Sequence, residues 1–460
     1  MFSPSQKRWL LAIAAAGALF CLYFFGLTDT GLLGPDEPRY AAIGRDMARN
    51  HDWITPRLWG DPWFEKPPLL YWMTALGFAC GLDQDLAPRL PVALLSVAFL
   101  AFFWFAVRRE FEERVAWFAA GILATSAGWL AFSLVAVTDL PLAACFSAAM
   151  LMLIGDRRRP IWAGVFLGAA VLAKGLVPLV LIVPALWFLR KRPIEILSIS
   201  GAAALIAMPW YLAVTILHGR AFLDEFLWKH HLGRFLTPDL QHVQPWWYFL
   251  PVLLAGLFPW TPTLFLILKK RVYDDPRTRF LLAWLAWGLV FFSCSRNKLP
   301  GYILPLLPAA ALLIGIALAH AGRAAAWTLA AAAAFLALIP VIQDILPRAL
   351  LSGLTRAPFQ FPLAALFPAL GLAALCFLLE RSGRRALAVA LICGIVTVSV
   401  VLIIRQTVPG LDHMVSARAF WRSQQATGKA LTICVDSENR SWRYGLDYYA
   451  GRQVLDCNPE

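Results

Sequence analysis

The chain has 460 residues, of which 60% are hydrophobic and 15% charged, with a mean hydropathy of +0.65. A soluble domain carries about 25% charged residues, so an ordinary soluble protein is excluded and a polytopic membrane protein is expected. The net charge of +13 does not point to nucleic acid. Basic residues gather in short loops such as Arg108-Arg109, Arg157-Arg158-Arg159 and Arg190-Lys191-Arg192, which is the positive-inside pattern that sets topology.

In chain order, Lys7 and Arg8 precede an apolar run over 9–27. It resembles a signal peptide, but it is about long enough to span a bilayer and no small-x-small cleavage site follows, so it is expected to be the first transmembrane helix. Residues 28–67 then face outward. The apolar segment 69–82 would extend only about 21 Å as helix, short of a ~30 Å hydrocarbon core. It is expected to be a juxtamembrane or re-entrant helix on the outer side, with 90–107 as the second span. Apolar segments alternate from there over 115–136, 139–155, 161–173, 176–189, 194–217, 246–268, 279–295, 300–319, 324–342, 361–379 and 386–404. About thirteen spans result, with the N-terminus inside and the C-terminus outside.

After residue 404 the composition becomes ordinary and polar. A strand-like 431–435 and an apolar stretch near Val454-Leu455 suggest a small α/β cap on the outer face. The expected fold is thus an all-α membrane domain over 1–404, with outer loops at 28–82 and 218–245, and a small extracytoplasmic domain over 405–460. Six of the eight cysteines lie in or beside apolar helices and read as small buried residues. Cys434 and Cys457 lie in the polar tail and can pair if that tail is outside the cytoplasm.

This topology puts Asp36, Arg39, Glu65, Lys66, Asp139, Lys174, the 218–245 loop, Arg296 and Lys298 on one membrane face. Basic residues are unfavourable outside, so Lys66, Lys174, Arg296 and Lys298 call for an anionic ligand there. The densest stretch is Pro35-Asp36-Glu37-Pro38-Arg39-Tyr40, completed by Glu65-Lys66-Pro67-Pro68. An N-cap explains one carboxylate, but not the arginine and tyrosine that follow. Asp36 reads as a catalytic carboxylate and Arg39, Tyr40, Glu65 and Lys66 as substrate contacts. The plainer reading of Glu65 is an interfacial ion pair, with Trp63, Tyr71 and Trp72 as aromatic anchors.

Asp139 in Thr138-Asp139-Leu140-Pro141 reads either as a turn residue or as a second catalytic acid. Lys174 is a snorkelling lysine or a phosphate contact. The 218–245 loop holds four histidines without metal-ligand spacing, and an amphipathic interfacial helix is its plainer reading. Ser295-Arg296-Asn297-Lys298 followed by Tyr302 reads as an interface anchor or an anion clamp.

Taken together, Asp36-Glu37-Pro38-Arg39-Tyr40-Ala41, Phe64-Glu65-Lys66-Pro67, Asp139-Leu140-Pro141, Lys174-Gly175, Pro209-Trp210, His231-Leu232-Gly233-Arg234-Phe235, Phe258-Pro259-Trp260 and Lys298-Leu299-Pro300-Gly301-Tyr302 resemble the bacterial aminoarabinose–lipid A transferase family. That family is related to the protein O-mannosyltransferases and has the GT-C fold. The likeness runs over about 5–310, and the C-terminal part departs from the pattern, which leaves the acceptor open. The resemblance implies a polyprenyl-phosphate-linked sugar donor, aminoarabinose or another monosaccharide, and an outward-facing site. Transfer to a lipid A-like or other cell-envelope acceptor would proceed with inversion. Arg39, Lys66, Lys174 and Lys298, with Tyr302 and Arg234, would then stabilise the leaving phosphate, so that catalysis needs no divalent ion. By the same resemblance Glu65 and His231 would hold a structural metal. A transporter of lipid-linked sugars is the rival reading, but such proteins place ionisable residues mid-membrane and show repeated halves, neither of which is visible here.

Overall fold

In the computed structural model, residues 4–233, 243–269, 273–352, 362–426, 433–436 and 439–457 are described. Helices dominate. Among the described residues six are long and apolar enough to cross a membrane, and two further bent pairs bring the number to eight by length and composition. This is a multi-pass membrane protein, although not all of the thirteen expected crossings correspond to a helix of spanning length.

The expected span 115–136 is broken by 61° between α5 (Glu113–Ala124) and α6 (Ala127–Ser133). Thr125 and Ser126 sit at the break, and each hydroxyl donates back to the carbonyl four residues earlier, a bond that bends helices. The expected span 246–268 is bent by 110° between Phe249–Gly256 and Thr261–Leu268. Pro259 lies in that gap and has no N–H with which to continue a helix. The segment 69–82 is short as expected, with α3 covering Leu69–Ala79.

Helix Leu307–His320 is buried along nearly its whole length and packs on α5, where Gly315 comes so close that a Cβ would lie 2.9 Å from Ala119. Helix α7 (Asp139–Leu153) is equally enclosed. Beside it α8 (Pro160–Lys174) presses Gly164 and Gly168 onto the backbone of α11 (Pro193–Leu223), at Ile199 and Ala203. Small residues four apart let two membrane helices approach this closely. Because α7 and α8 run antiparallel, the first residue of one and the last of the other, Asp139 and Lys174, share an end.

Above this bundle α2 (Asp36–Asn50) packs against α3, with Gly44 against Thr74. A two-residue turn joins β1 (Arg57–Leu58) to β2 (Asp61–Pro62). The tail forms helices Val408–Val415, Ala417–Ala426 and Arg440–Ala450, and a parallel pair of β3 (Cys434–Val435) and β4 (Leu455–Asp456). A Cys434–Cys457 disulfide staples that pair.

The tail is tied to the first loop. Arg418 donates to the carbonyls of Thr28 and Asp29 and pairs with Asp85 and Asp412. Leu32 N donates to Tyr449 Oη, which in turn donates to Asp85. Burial raises the Tyr449 pKa, and the neighbouring Asp85 raises it further, so this hydroxyl stays a donor.

Candidate active site

Helix α2 begins at Asp36, and no side-chain cap hydrogen bond forms at its N-terminus. The carboxylate of Asp36 instead accepts from Arg39 Nη2 at 2.5 Å and keeps 46% of its side chain exposed. Arg39 is buried and also meets Glu65 at 3.1 Å, and Lys66 lies 3.3 Å from Glu65. Two carboxylates and two cations thus alternate in one chain of contacts.

The guanidinium of Arg39 also lies 5.2–5.4 Å from the rings of Trp63, Tyr40 and Tyr444. Burial alone would lower its pKa, but Glu65, Tyr40 and Asp36 more than offset this, and the net shift is upward. Its Nε is buried and makes no hydrogen bond among the described residues. Leaving such a donor unmade costs about 1–3 kcal/mol, so the site keeps a donor in reserve.

Glu37 turns the other way. It is buried, accepts from the backbone N–H of Leu33 at 2.7 Å and of Ala136 at 2.8 Å, and forms a two-bond pair with Arg89. Arg89 spends its other donors on the carbonyls of Leu27, Thr30 and Gly31. The pair therefore fastens the outer loop to the bundle at Ala136, three residues before Asp139, or within about 11 Å of chain.

Asp139 and Lys174 form an ion pair at 2.6 Å, mostly buried, and the Lys174 ammonium lies 4.8 Å from the centre of the Tyr302 ring. Their positions at a helix N-terminus and a helix C-terminus suit the helix dipoles. Gly301 makes the approach possible, since a Cβ there would stand 2.4 Å from Asp139 Oδ1. Phe64, next to Glu65, packs in one apolar cluster with Val171 and Leu172 of α8. The Asp36 cluster and the Asp139 cluster are thus held side by side through Glu37 and through Phe64.

Lys298 is buried and donates to the carbonyls of Gln244 and Ser295. Burial pushes its ammonium pKa down. It ties the 243–245 segment to the loop that carries Tyr302. Arg234 lies outside the described residues, as does the side chain of His231. No group of three or more His, Cys, Asp or Glu side chains suited to a metal occurs among the described residues. Both Glu65 oxygens face cations, Arg39 and Lys66.

Sequence reasoning passed over three participants. Tyr71, read as an interfacial anchor, is fully buried 5.8 Å from Tyr40, with its hydroxyl unpartnered among the described residues. Its pKa is raised by burial and then by Glu65, while Arg39 opposes the shift. Tyr444 reaches Arg39 from some four hundred residues downstream, and no local signal marks it. Glu37 was visible as the neighbour of Asp36, but nothing in the sequence identified Arg89 as its partner.

A family model described as dolichyl-phosphate-mannose-protein mannosyltransferase matches residues 65–219. The chain is 35% identical over 351 residues to undecaprenyl phosphate-alpha-4-amino-4-deoxy-L-arabinose arabinosyl transferase 2 of Pseudomonas fluorescens, a match covering 69% of this chain and 57% of that relative. It is 34% identical over 336 residues to the enzyme of that name, without the numeral, in Pseudomonas aeruginosa, covering 68% and 60%. The chain thus spans less than two thirds of the length of these curated relatives. The crystal structure of ArnT from Cupriavidus metallidurans bound to undecaprenyl phosphate superposes with a TM-score of 0.77 at 24% identity, over 98% of this chain and 86% of that one.

The helical membrane bundle capped by a charged first loop is the GT-C fold. Within it, the chain is similar to the aminoarabinose transferases over about two thirds of its own length.

Proposed function

We propose that the chain transfers a monosaccharide, aminoarabinose or a close analogue, from a polyprenyl phosphate to an acceptor on the outer face of the bacterial inner membrane. The acceptor is a lipid A-like or other envelope glycolipid or glycan. The observation that carries this reading is the pairing of two acid–base clusters, Asp36–Arg39–Glu65–Lys66 and Asp139–Lys174–Tyr302, side by side at the end of the bundle. The names of the relatives support the donor. The basic loops and the Cys434–Cys457 disulfide support a cytoplasmic N-terminus with the site and the tail in the periplasm.

In this mechanism the acceptor oxygen attacks the anomeric carbon from the face opposite the carrier. The bond from that carbon to the phosphate oxygen breaks, its electron pair leaves with the polyprenyl phosphate, and the configuration inverts. Negative charge grows on phosphate oxygens, where Arg39, Lys66 and Lys174 offer fixed cations and the unused Arg39 Nε a hydrogen bond. Asp36, the exposed carboxylate, takes the acceptor proton or steadies positive charge on the sugar. Asp139 orients Lys174, and Tyr302 shields that pair from water. Arg234 is a further candidate contact for the phosphate, and His231 with Glu65 a candidate pair for a structural metal. The charges of this site come from side chains, and we assign no step to a metal.

The test uses purified protein in detergent with a polyprenyl-phosphate sugar and an acceptor extract. The wild type is expected to release polyprenyl phosphate only when acceptor is present, and Asp36→Asn to do so about tenfold or more slowly. Equal turnover by Asp36→Asn would remove Asp36 from catalysis. Donor binding without turnover by either protein would move the reading to a transporter.

In the same assay Gly301→Ala is expected to slow transfer roughly tenfold by pushing the Asp139 carboxylate off Lys174. Donor affinity and the melting temperature should change little. A wild-type rate for Gly301→Ala would mean that the Asp139–Lys174 geometry does not matter.

A further inference from the structure

A second charged site lies at the far end of α2. A cleft of about 330 Å³ opens between the last turns of that helix, the β1–β2 turn and residues 451–453 of the tail, lined by Arg45, Asp46, Arg49, Trp59, Arg452 and Gln453 among others. Three guanidinium groups face one carboxylate. Among the described residues no carboxylate lies within ion-pair distance of Arg45, Arg49 or Arg452. Asp46 instead accepts from Asn50.

Arg45 is buried at the back of the cleft, donates among the described residues only to the Tyr448 carbonyl, at 3.0 Å, and lies 4.4 Å from the centre of the Tyr448 ring. Its pKa is lowered by burial, and Arg49 lowers it further. Like charges four apart on a helix destabilise it, so the sequence tolerates a local cost here. The excess of positive charge suits an anion held by forked guanidinium donors.

Trp59 says what else the ligand carries. Trp59 and Gly60 are the two central residues of the hairpin turn, with φ of 57° and 95°. A turn with both central φ positive favours Asn-Gly strongly, and a bulky residue in the first place is strained. A tryptophan here is not a turn-former's choice, and its half-buried ring lines the cleft. An aromatic face beside arginines matches the apolar face of a sugar ring next to its phosphate.

We propose that this cleft binds a phosphorylated sugar and serves as a subsite for the headgroup of the acceptor. Arg45 and Arg49 lie about 14–20 Å along α2 from Asp36, so a headgroup of two sugar units would bridge the subsite and the reacting centre. The acceptor role rests on the transferase reading above. The binding itself does not.

The experiment places the wild type, Arg49→Glu/Arg452→Glu and Trp59→Asn in phosphatidylcholine nanodiscs and follows amide hydrogen exchange over 57–62 and 446–453. The probes are glucosamine 6-phosphate, inorganic phosphate and glucosamine, at matched ionic strength. The sugar phosphate is expected to protect both segments of the wild type, inorganic phosphate to do so more weakly, and glucosamine not at all. The double variant alters two exposed side chains and should lose the protection. Trp59→Asn places the favoured turn residue, so it should fold normally and need about tenfold more ligand.

No protection, or undiminished protection of the double variant, would overturn the site. Equal protection by inorganic phosphate, indifferent to Trp59→Asn, would overturn the sugar assignment. A last arm replaces the soluble probe with a phosphorylated diglucosamine lipid in the disc. Protection by the lipid supports the acceptor role, and protection by the soluble probe alone refutes it. A protein that binds the probe yet fails the Asp36 assay loses the transferase reading and keeps the cleft. One that transfers sugar without protection loses only the cleft.

Discussion

Lys174→Met should reduce sugar transfer about 10²–10³-fold, the scale seen when one preorganised group that stabilises a developing anion is removed. The ammonium sits 2.6 Å from Asp139 and over the Tyr302 ring, so it is pinned before substrate arrives and needs no reorganisation as charge develops. Methionine keeps most of the length and the apolar stem, which limits damage to packing. The loss should fall on kcat more than on KM if Lys174 acts on the transition state. Lys174→Arg should recover part of the rate, because the charge returns while the single short contact to Asp139 does not. A Lys174→Met enzyme within about threefold of wild type would place leaving-group stabilisation elsewhere, with Arg39 as the first alternative. A pure rise in KM would make Lys174 a ground-state contact.

Glu37→Gln is expected to destabilise the protein by about 3–5 kcal/mol, because it leaves the buried Arg89 guanidinium without its counter-charge. Both side chains are almost completely enclosed, and the carboxylate also satisfies two backbone N–H groups. Thermal melting of the detergent-solubilised protein would report the loss, and Arg89→Met should show one of similar size. The double variant should lose clearly less than the sum, since the two act as one unit. Fully additive losses would mean that the pair is not coupled and that the loop is held by other contacts. Activity should fall with stability, because the same carboxylate keeps the Asp36 loop beside the Asp139 helix.

The architecture was legible in the sequence wherever chemistry is local. Apolar length marked the membrane helices and exposed α3 as too short. The crowding of Asp36, Arg39, Glu65 and Lys66 marked the site, and the polar tail with its two cysteines marked the cap. Helix breaks were harder. Hydropathy averages over the Thr125-Ser126 bend, where backbone-bonding hydroxyls interrupt a run that stays apolar.

Partnerships between distant segments were not legible. Lys298 reads as an interface anchor or part of an anion clamp, yet its carbonyl partners include Gln244, some fifty residues away. Arg45, Arg49 and Arg452 carry no motif, and only folding brings the tail against α2. Tyr71 and Trp63 follow the pattern of interfacial aromatics. What distinguishes them is Arg39, whose position depends on how α2 and α3 pack.

The docking of the tail has a consequence for the order of biosynthesis. Gly31, Leu32, Asp85 and Arg39 are made long before Asp412, Tyr449 and Tyr444, which they contact. Pairings separated by 364 to 417 residues cannot form until the tail has emerged from the ribosome. The charged loop must therefore wait, open and incomplete, through insertion of every helix. A chain released before the tail would carry the acid and the arginine of the site but neither Tyr444 nor the disulfide clasp. Arrival of the tail is thereby the last step in assembling the site.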